Sequence, residues 1–234
     1  MKRDGPPPPT DLSESADLPN KSGIEHMQGA KGPKPGIGAR EQDLTAQKAA
    51  LRAGLLSRRR TLTDGERAGA GRQLRDAVLE APETQMAGTV AAYVSVGSEP
   101  DTRGLIFALW KRGTYVLLPL LQPDGDLDWA SYEGPDSLTP GARGLLEPTE
   151  PPRGVTAITS ADMIIVPALA VDRGGVRLGR GGGSYDRALA RVGPAILTVA
   201  LLYDGELLDQ LPCGRRDVAV RAAAQPAEGI SRLR

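Results

Sequence analysis

The sequence predicts an α/β fold, a single layered domain whose mostly parallel sheet is flanked by helices in a Rossmann-like three-layer architecture. Two observations predict this class. Short, continuous apolar runs rich in β-branched residues recur along the chain, and such runs are typical of strands buried on both faces. Segments with helical periodicity separate the runs, and strands that alternate with helices favour a parallel sheet with right-handed crossovers.

Residues 1–40 differ in composition from everything that follows. Pro6 to Pro9 are consecutive, glycine or proline recurs every few residues, and large apolar side chains are few. Such a segment cannot bury enough surface to fold, so we expect 1–40 to be a disordered tail and 41–234 to be the domain. A proline-rich docking peptide, or a translation start at Met27, would also explain this composition.

Two helices are expected before the first strand. From Asp43 onward, leucines recur at offsets of seven and four along one helical face, at Leu44, Leu51, Leu55 and Leu62. Lys48 and Arg52 fall beside this stripe, and the pair is either a phosphate clamp or a solvated edge of the helix. Thr63 and Glu66 then form the capping-box pattern that opens a second helix.

The remaining elements follow the βαβ pattern. Apolar runs predict strands at 89–94, 115–119, 163–167 and 196–202, and helices are expected at 102–112 and 185–192. Residues 127–132 alternate between polar and apolar instead, which suggests an exposed strand or flap. Ligands of such sheets bind beyond the carboxyl ends of the strands.

Composition narrows the function. Lys plus Arg and Asp plus Glu each total 29, so the formal net charge is zero and we expect neither nucleic-acid nor membrane partners. The only histidine, His26, lies in the tail, and Cys213 is the only cysteine, which argues against histidine-based triads, histidine-bound zinc and thiol dyads. No apolar run is long enough to span a bilayer, and no secretory signal is visible at the start; we expect a cytoplasmic monomer.

A glycine-rich run at residues 177–186 is the strongest functional signal. Glycines at 179 and 181–183 can turn backbone N–H groups toward one point, and a following helix would add partial positive charge. Arg177 and Arg180 supply cations, and Asp186 could hold Mg²⁺ beside a phosphate. The spacing matches neither the P-loop nor the dinucleotide fingerprint. A flexible turn is the alternative, because glycine contributes 29 of 234 residues.

Six sequence blocks occur in order along the chain: Lys48-x-x-x-Arg52 ahead of Arg58, Tyr93 before Glu99, Leu118-Pro119, 144–148, 166–172 and 177–187. Together they resemble the 5-formyltetrahydrofolate cyclo-ligase family, also called methenyltetrahydrofolate synthetases. The resemblance extends over about residues 46–225. It implies an enzyme that uses MgATP to phosphorylate the formyl oxygen of 5-formyltetrahydrofolate and to close the ring to 5,10-methenyltetrahydrofolate, releasing ADP and phosphate.

The resemblance also implies roles for individual residues. ATP would be bound by Lys48, Arg52, Arg177, Leu178, Gly179, Arg180, Gly181, Gly182, Gly183, Ser184 and Tyr185. Arg180 would lie near the transferred phosphoryl group as the catalytic residue. Val94 and Glu99 would face the reduced folate, and Asp186 and Asp217 would be the Mg²⁺ ligands.

Three positions depart from the family pattern. Ser184 stands where tyrosine is usual, Arg216 replaces a histidine before the acid matched to Asp217, and Arg221 replaces an acid. Serine at position 184 would weaken contact with the folate. The changes at Arg216 and Arg221 affect the segment around Asp217, which is expected to hold Mg²⁺. A non-catalytic folate-binding or nucleotide-binding regulator on the same scaffold is the alternative function.

Overall fold

The computed structural model describes residues 37–141 and 144–233. Five helices lie in this part of the chain: α1 Ile37–Thr61, α2 Asp64–Glu80, α3 Pro82–Met86, α4 Arg103–Lys111 and α5 Ser184–Leu189. Its strands are β1 Thr89–Ala91, β2 Tyr115–Leu121, β3 Leu127–Ser131, β4 Leu138–Pro140, β5 Leu146–Pro148, β6 Met163–Pro167, β7 Ala170–Asp172, β8 Arg177–Leu178, β9 Leu197–Leu201, β10 Leu207–Leu208, β11 Ala222–Gln225 and β12 Gly229–Arg232.

The predicted tail lies almost wholly outside the described residues. Helix α1 begins at Ile37, so the last four residues assigned to the tail, 37–40, are helical. No helix in the described part of the chain has the length and apolar character that a bilayer span requires.

The central sheet has seven strands in the order β12-β11-β9-β6-β1-β2-β3. Its five inner strands are parallel, whereas β12 and β3 pair antiparallel at the two edges. The mostly parallel sheet predicted from the sequence is therefore confirmed. The apolar runs at 163–167 and 196–202 become the adjacent strands β6 and β9, with Met163 paired to Leu197.

Side chains of the inner strands alternate between two hydrophobic clusters on opposite faces of the sheet. Ile165 and Val199 point into one cluster, which α2 and α4 cover. Ile164 and Ala200 point into the other, which α5 and the 3-10 turn at Ala157–Ser160 cover. Both faces are thus buried, as continuous apolar strands require, and the three-layer architecture is confirmed.

The expectation of an exposed strand or flap at 127–132 is wrong. Strand β3 pairs with β2 at the sheet edge, and Trp129 is fully buried beside Ile158. A segment runs along the open edge of β3, because the Arg153 N–H donates to Trp129 O at 2.8 Å and the Gly154 N–H donates to Asp128 Oδ1 at 2.7 Å. The alternation is real, but the chain itself covers both faces, since Trp129 packs in one hydrophobic cluster and Tyr132 in the other.

Three helices precede the sheet: α1 and α2, as predicted, and the five-residue α3, which the sequence analysis did not predict. The Thr63 capping box forms in full, with the Glu66 N–H donating to Thr63 Oγ1 at 3.2 Å and the Thr63 N–H donating to Glu66 Oε2 at 2.7 Å. Helix α1 packs Leu55 against a third hydrophobic cluster, which contains Leu169 and Leu178. This contact holds α1 against the start of the glycine-rich run.

Candidate functional site

The candidate site lies where the chain leaves the carboxyl ends of the parallel strands. Two segments form it: the turn at residues 95–99, which follows β1 and is called the Glu99 turn below, and residues 179–183 between β8 and α5, called the glycine loop. Helix α1 lies against the glycine loop through Arg52. The structure therefore brings together most of the residues singled out from the sequence.

Left-handed backbone at two positions shapes the glycine loop. Gly181 has φ of 104° and Gly183 has φ of 71°, a region that disfavours residues with a Cβ. A Cβ on Gly179 would lie 2.7 Å from Arg177 Nη1, so this glycine permits a close approach to the arginine. These glycines hold a specific curved path, which supports a built cradle over a merely flexible turn.

Helix α5 is shorter than expected. It spans Ser184–Leu189 rather than 185–192, because Arg191 and Val192 bond back only three residues, to Ala188 and Leu189, in tighter turns. A helix of six residues adds little positive charge at its start. The cradle therefore depends on loop amides and on arginine side chains.

Lys48 and Arg52 are not a solvated edge. Arg52 Nε donates to the carbonyl oxygen of Gly179 at 2.9 Å, which joins α1 to the glycine loop. Lys48 Nζ forms an ion pair with Asp217 Oδ2, and the two side chains are 13% and 16% exposed. The Gly214 N–H also donates to Asp217 Oδ2, at 2.6 Å. Both cations therefore meet the segments predicted to hold phosphate and metal.

Arg177 supports the glycine loop from its buried side. Its side chain is 3% exposed, and its two Nη atoms donate to Pro167 O at 3.1 Å and to Asp186 Oδ1 at 3.0 Å. Leu178 is also buried, in the cluster with Leu55. Neither side chain reaches the open surface of the loop, so the contribution of both to a ligand is to position the backbone and Asp186.

Arg180 and Glu99 connect the glycine loop with the Glu99 turn. Arg180 Nε lies 3.0 Å from Glu99 Oε1, with the arginine side chain 49% exposed and the carboxylate 8% exposed. Glu99 Oε2 accepts a hydrogen bond from the Val96 N–H at 3.0 Å, so the turn fixes the carboxylate orientation. The residue predicted to meet phosphate therefore contacts the residue predicted to meet folate.

The charge of Glu99 acts on two buried tyrosines. Burial raises the pKa of both the Tyr93 and the Tyr185 hydroxyl, and the Glu99 carboxylate raises both further. Tyr93 Oη is buried and has no hydrogen-bond partner within the described residues. Val94 is 7% exposed and packs in the core, so it offers a ligand only a small apolar edge.

Asp186 and Asp217, the predicted metal ligands, lie in adjoining segments. The Val218 N–H, one residue beyond Asp217, donates to Asp186 Oδ1 at 3.5 Å. Asp186 Oδ2 accepts no hydrogen bond within the described part of the chain, and the partners of Asp217 both bind Oδ2. Each carboxylate thus has an oxygen that could bind a ligand, and two such oxygens fit a hard cation such as Mg²⁺, which keeps several waters. No cluster of three or more His, Cys, Asp or Glu side chains suited to a metal occurs among the described residues.

The three departures from the family pattern lie in different places. Ser184 is the first residue of α5 beside Gly182, and Arg216 is exposed next to Asp217, so both border the site. Arg221 does not, because its N–H donates to Thr198 O at 3.0 Å near the start of β9, away from the carboxyl ends.

Sequence reasoning missed a buried network behind the Glu99 turn. Arg59 Nε and Nη2 both donate to the Glu206 carboxylate at 2.7 Å, and the Tyr203 N–H donates to Glu206 Oε2 at 2.8 Å. Tyr203 Oη donates to the carbonyl oxygen of Glu99 at 3.3 Å. One signal was available for this network: Arg59 follows Leu55 by four residues and so continues the apolar stripe of α1.

Comparison with known proteins shows which family has this arrangement. The sequence profile described as the 5-formyltetrahydrofolate cyclo-ligase family matches residues 44–226. The chain belongs to this family.

Relatives named 5-formyltetrahydrofolate cyclo-ligase include one from Mycolicibacterium smegmatis, 40% identical over 193 residues, which cover 80% of this chain and 97% of that protein. The Escherichia coli relative is 34% identical and covers 73% of this chain and 96% of that protein. The solved structure of the 5,10-methenyltetrahydrofolate synthetase from Aquifex aeolicus superposes with a TM-score of 0.70 at 29% identity, covering 80% of this chain and 93% of that one. These relatives confirm the predicted family, fold and enzyme class.

Proposed function

We propose that this cyclo-ligase family member uses ATP to convert 5-formyltetrahydrofolate into 5,10-methenyltetrahydrofolate. The formyl oxygen attacks the γ-phosphorus, and the bond to ADP breaks. N10 of the folate then adds to the activated carbon and loses its proton, and the former formyl oxygen leaves as part of phosphate. A formyl oxygen is a poor leaving group, and its phosphorylation makes the ring closure possible.

The contact between Arg180 and Glu99 carries this proposal. The two side chains lie 3.0 Å apart across the gap between the glycine loop and the Glu99 turn. A carboxylate at Glu99 can accept paired hydrogen bonds from the aminopyrimidine edge of a pterin. A guanidinium beside it can stabilise the negative charge that spreads over a transferred phosphoryl group. Phosphate donor and folate acceptor would thus meet at one place.

The other cations and amides would bind the remaining phosphates. Arg52 touches Gly179, and Lys48 lies against Asp217, so both reach the glycine loop or the segment beside it. Amides of Gly181 to Gly183 can point toward one anion because of the left-handed backbone. Phosphoryl transfer depends mainly on positioning and charge neutralisation, and these groups supply both.

Asp186 and Asp217 are the residues that would hold Mg²⁺. When bound together with ATP, the ion neutralises phosphate charge. Arg177 keeps Asp186 in place through the 3.0 Å hydrogen bond to Oδ1. Lys48 keeps Asp217 in place through their ion pair, and it puts a positive charge beside the proposed Mg²⁺ ligands.

A single assay tests the proposed reaction. Purified protein mixed with MgATP and 5-formyltetrahydrofolate should generate the near-ultraviolet absorbance of the methenyl product and one ADP for each product molecule. Omission of ATP should abolish the signal. A protein that is thermally stabilised by folate or nucleotide, but yields no product, would be the non-catalytic regulator instead.

A further inference from the structure

Tyr203 is a candidate for a role in folate binding that its position in the sequence does not reveal. It follows β9 directly and is buried, and its hydroxyl donates to the main-chain oxygen of Glu99 at 3.3 Å. Burial is the main cause that raises the pKa of Tyr203, so the phenol remains a hydrogen-bond donor at neutral pH.

The Glu99 turn is held from two sides. On the α4 side, Thr102 Oγ1 donates to Tyr93 O at 2.6 Å and accepts from the Ser95 N–H at 2.9 Å. These bonds fix the start of the turn, and bonds between Val96 and Glu99 close the turn internally, with the Glu99 N–H donating to Val96 O at 3.2 Å. Tyr203 is the residue that reaches the Glu99 end from the β9 side, through its contact with the Glu99 carbonyl.

Tyr203 itself is rigidly placed. Its N–H donates to Glu206 Oε2 at 2.8 Å, and the Arg59 guanidinium lies 5.2 Å from the centre of its ring. Arg59 also donates to the Ala168 carbonyl oxygen at 2.6 Å, which ties the network to the segment between β6 and β7. A buried, paired network of this kind keeps one side-chain arrangement because any other would leave charges unpaired.

We infer that Tyr203 is a positioning residue for folate: through its hydroxyl it fixes the main chain of Glu99, and so the carboxylate that receives the substrate. This inference rests on the proposed function. It assigns the Arg59 and Glu206 pair the task of holding Tyr203 in place. Tyr203 contacts Glu99 directly and reaches the glycine loop only through the Glu99–Arg180 pair, so the effect should be larger for folate than for ATP.

The test is Tyr203→Phe, which removes only the hydroxyl. One ordinary hydrogen bond corresponds to about a fivefold change in affinity at most, so we expect 5-formyltetrahydrofolate to bind up to about fivefold more weakly by calorimetry without ATP. The KM for folate should rise by a similar factor, the KM for ATP should change less than the KM for folate, and kcat should stay near wild type. Tyr115→Phe is the matched control, because Tyr115 Oη is also buried, has no partner in the described chain and lies at the amino end of β2.

The possible results separate the two proposals. If wild type binds folate but forms no product, the proposed reaction fails and the calorimetry still tests Tyr203. If wild type turns over and Tyr203→Phe binds folate as wild type does, the positioning role is wrong. Equal losses for folate and ATP, or a loss matched by Tyr115→Phe, would also overturn it, because they would indicate a general structural effect.

Discussion

Arg180 and Glu99 form an ion pair, with Nε and Oε1 3.0 Å apart, although 81 residues of sequence separate them. Each is the residue that the proposed function assigns to one of the two substrates. Without substrates the two charges satisfy one another. A ligand that engages either residue must therefore compete with the other, and it leaves the released partner available for the second ligand.

Glu99→Gln should separate the two substrates. Folate binding should weaken about tenfold or more, because a charge-assisted hydrogen bond is lost. ATP binding should stay the same or tighten up to about fivefold, because Arg180 no longer has a carboxylate to leave and a pair with a half-exposed arginine contributes about 0 to 1 kcal/mol. Calorimetry with a non-hydrolysable ATP analogue and with folate measures both. A parallel loss of ATP affinity would show that Glu99 does not compete for Arg180.

Arg180→Ala should abolish turnover while ATP still binds. Loss of a group that stabilises transition-state charge lowers kcat about 100-fold to 1,000-fold, whereas Arg52, Lys48 and the loop amides remain to hold ATP. Stopped-flow absorbance and nucleotide calorimetry distinguish the two effects. Arg173→Ala is the control, since Arg173 forms an exposed pair with Asp209. Wild-type turnover in Arg180→Ala would remove Arg180 from the mechanism.

Gly181→Ala should weaken ATP binding and spare folate. Its φ of 104° is costly for any residue with a Cβ, by about 1 to 3 kcal/mol, and a Cβ there would lie 3.4 Å from Arg52 Cζ. We expect about a tenfold rise in the KM for ATP. Gly182→Ala is the matched control, because a Cβ there meets nothing nearer than Ser184 Oγ at 3.7 Å. Equal effects of both substitutions would show that the loop conformation is not what ATP recognises.

Asp217→Asn should raise the Mg²⁺ concentration required for half-maximal activity by about tenfold or more. The substitution removes a charged oxygen ligand and also the partner of Lys48. Titration of activity with Mg²⁺ at saturating ATP measures the change. Asp209→Asn, in the exposed pair with Arg173, should leave the titration unaltered. An unchanged Mg²⁺ requirement in Asp217→Asn would exclude this residue as a ligand.

Acid stability should depend on Asp126. Its hydrogen bonds with Arg191 are the largest cause that holds the pKa of this carboxyl below its usual range. An Asp whose pKa is lowered on folding contributes stability above the pKa of the unfolded state, which is about 4. This stability is lost as the pH falls through the lower pKa of the folded state. Asp126→Asn should reduce the free energy of unfolding at pH 7 by about 1 kcal/mol. Denaturant melts should show the difference narrowing below about pH 4; a constant difference would contradict this linkage.

The sequence predicted the fold well where a continuous apolar run, a helical period or a capping motif marked the element. The apolar strands at β6 and β9, the capping box at Thr63 and the helix at 103–111 all formed as expected. Strands of two or three residues, such as β7 and β8, escaped prediction because so few residues carry no period. The prediction for β3 was wrong because the alternation of polar and apolar residues does not reveal that Ile158 and its 3-10 turn cover Trp129.

For the candidate site, the sequence singled out residues that the structure brings together, but it did not predict their pairings. Lys48 and Asp217 were assigned to different ligands, and the structure joins them. Arg177 carries a charge and was expected to face phosphate, yet it lies buried below the loop. Arg59 was not predicted to be buried because an arginine in a helical sequence is expected to be exposed. Only the structure shows that Glu206 pairs with it in the core.

The ion pair between Lys48 and Asp217 spans 169 residues of the chain. The helix that carries Lys48 is synthesised early, but its partner emerges only near the end of the chain. The ribosome must therefore translate past residue 217 before that ion pair can form. Fragments that end before residue 217 lack this pair and one proposed Mg²⁺ ligand, so nucleotide should protect them less than it protects the whole chain.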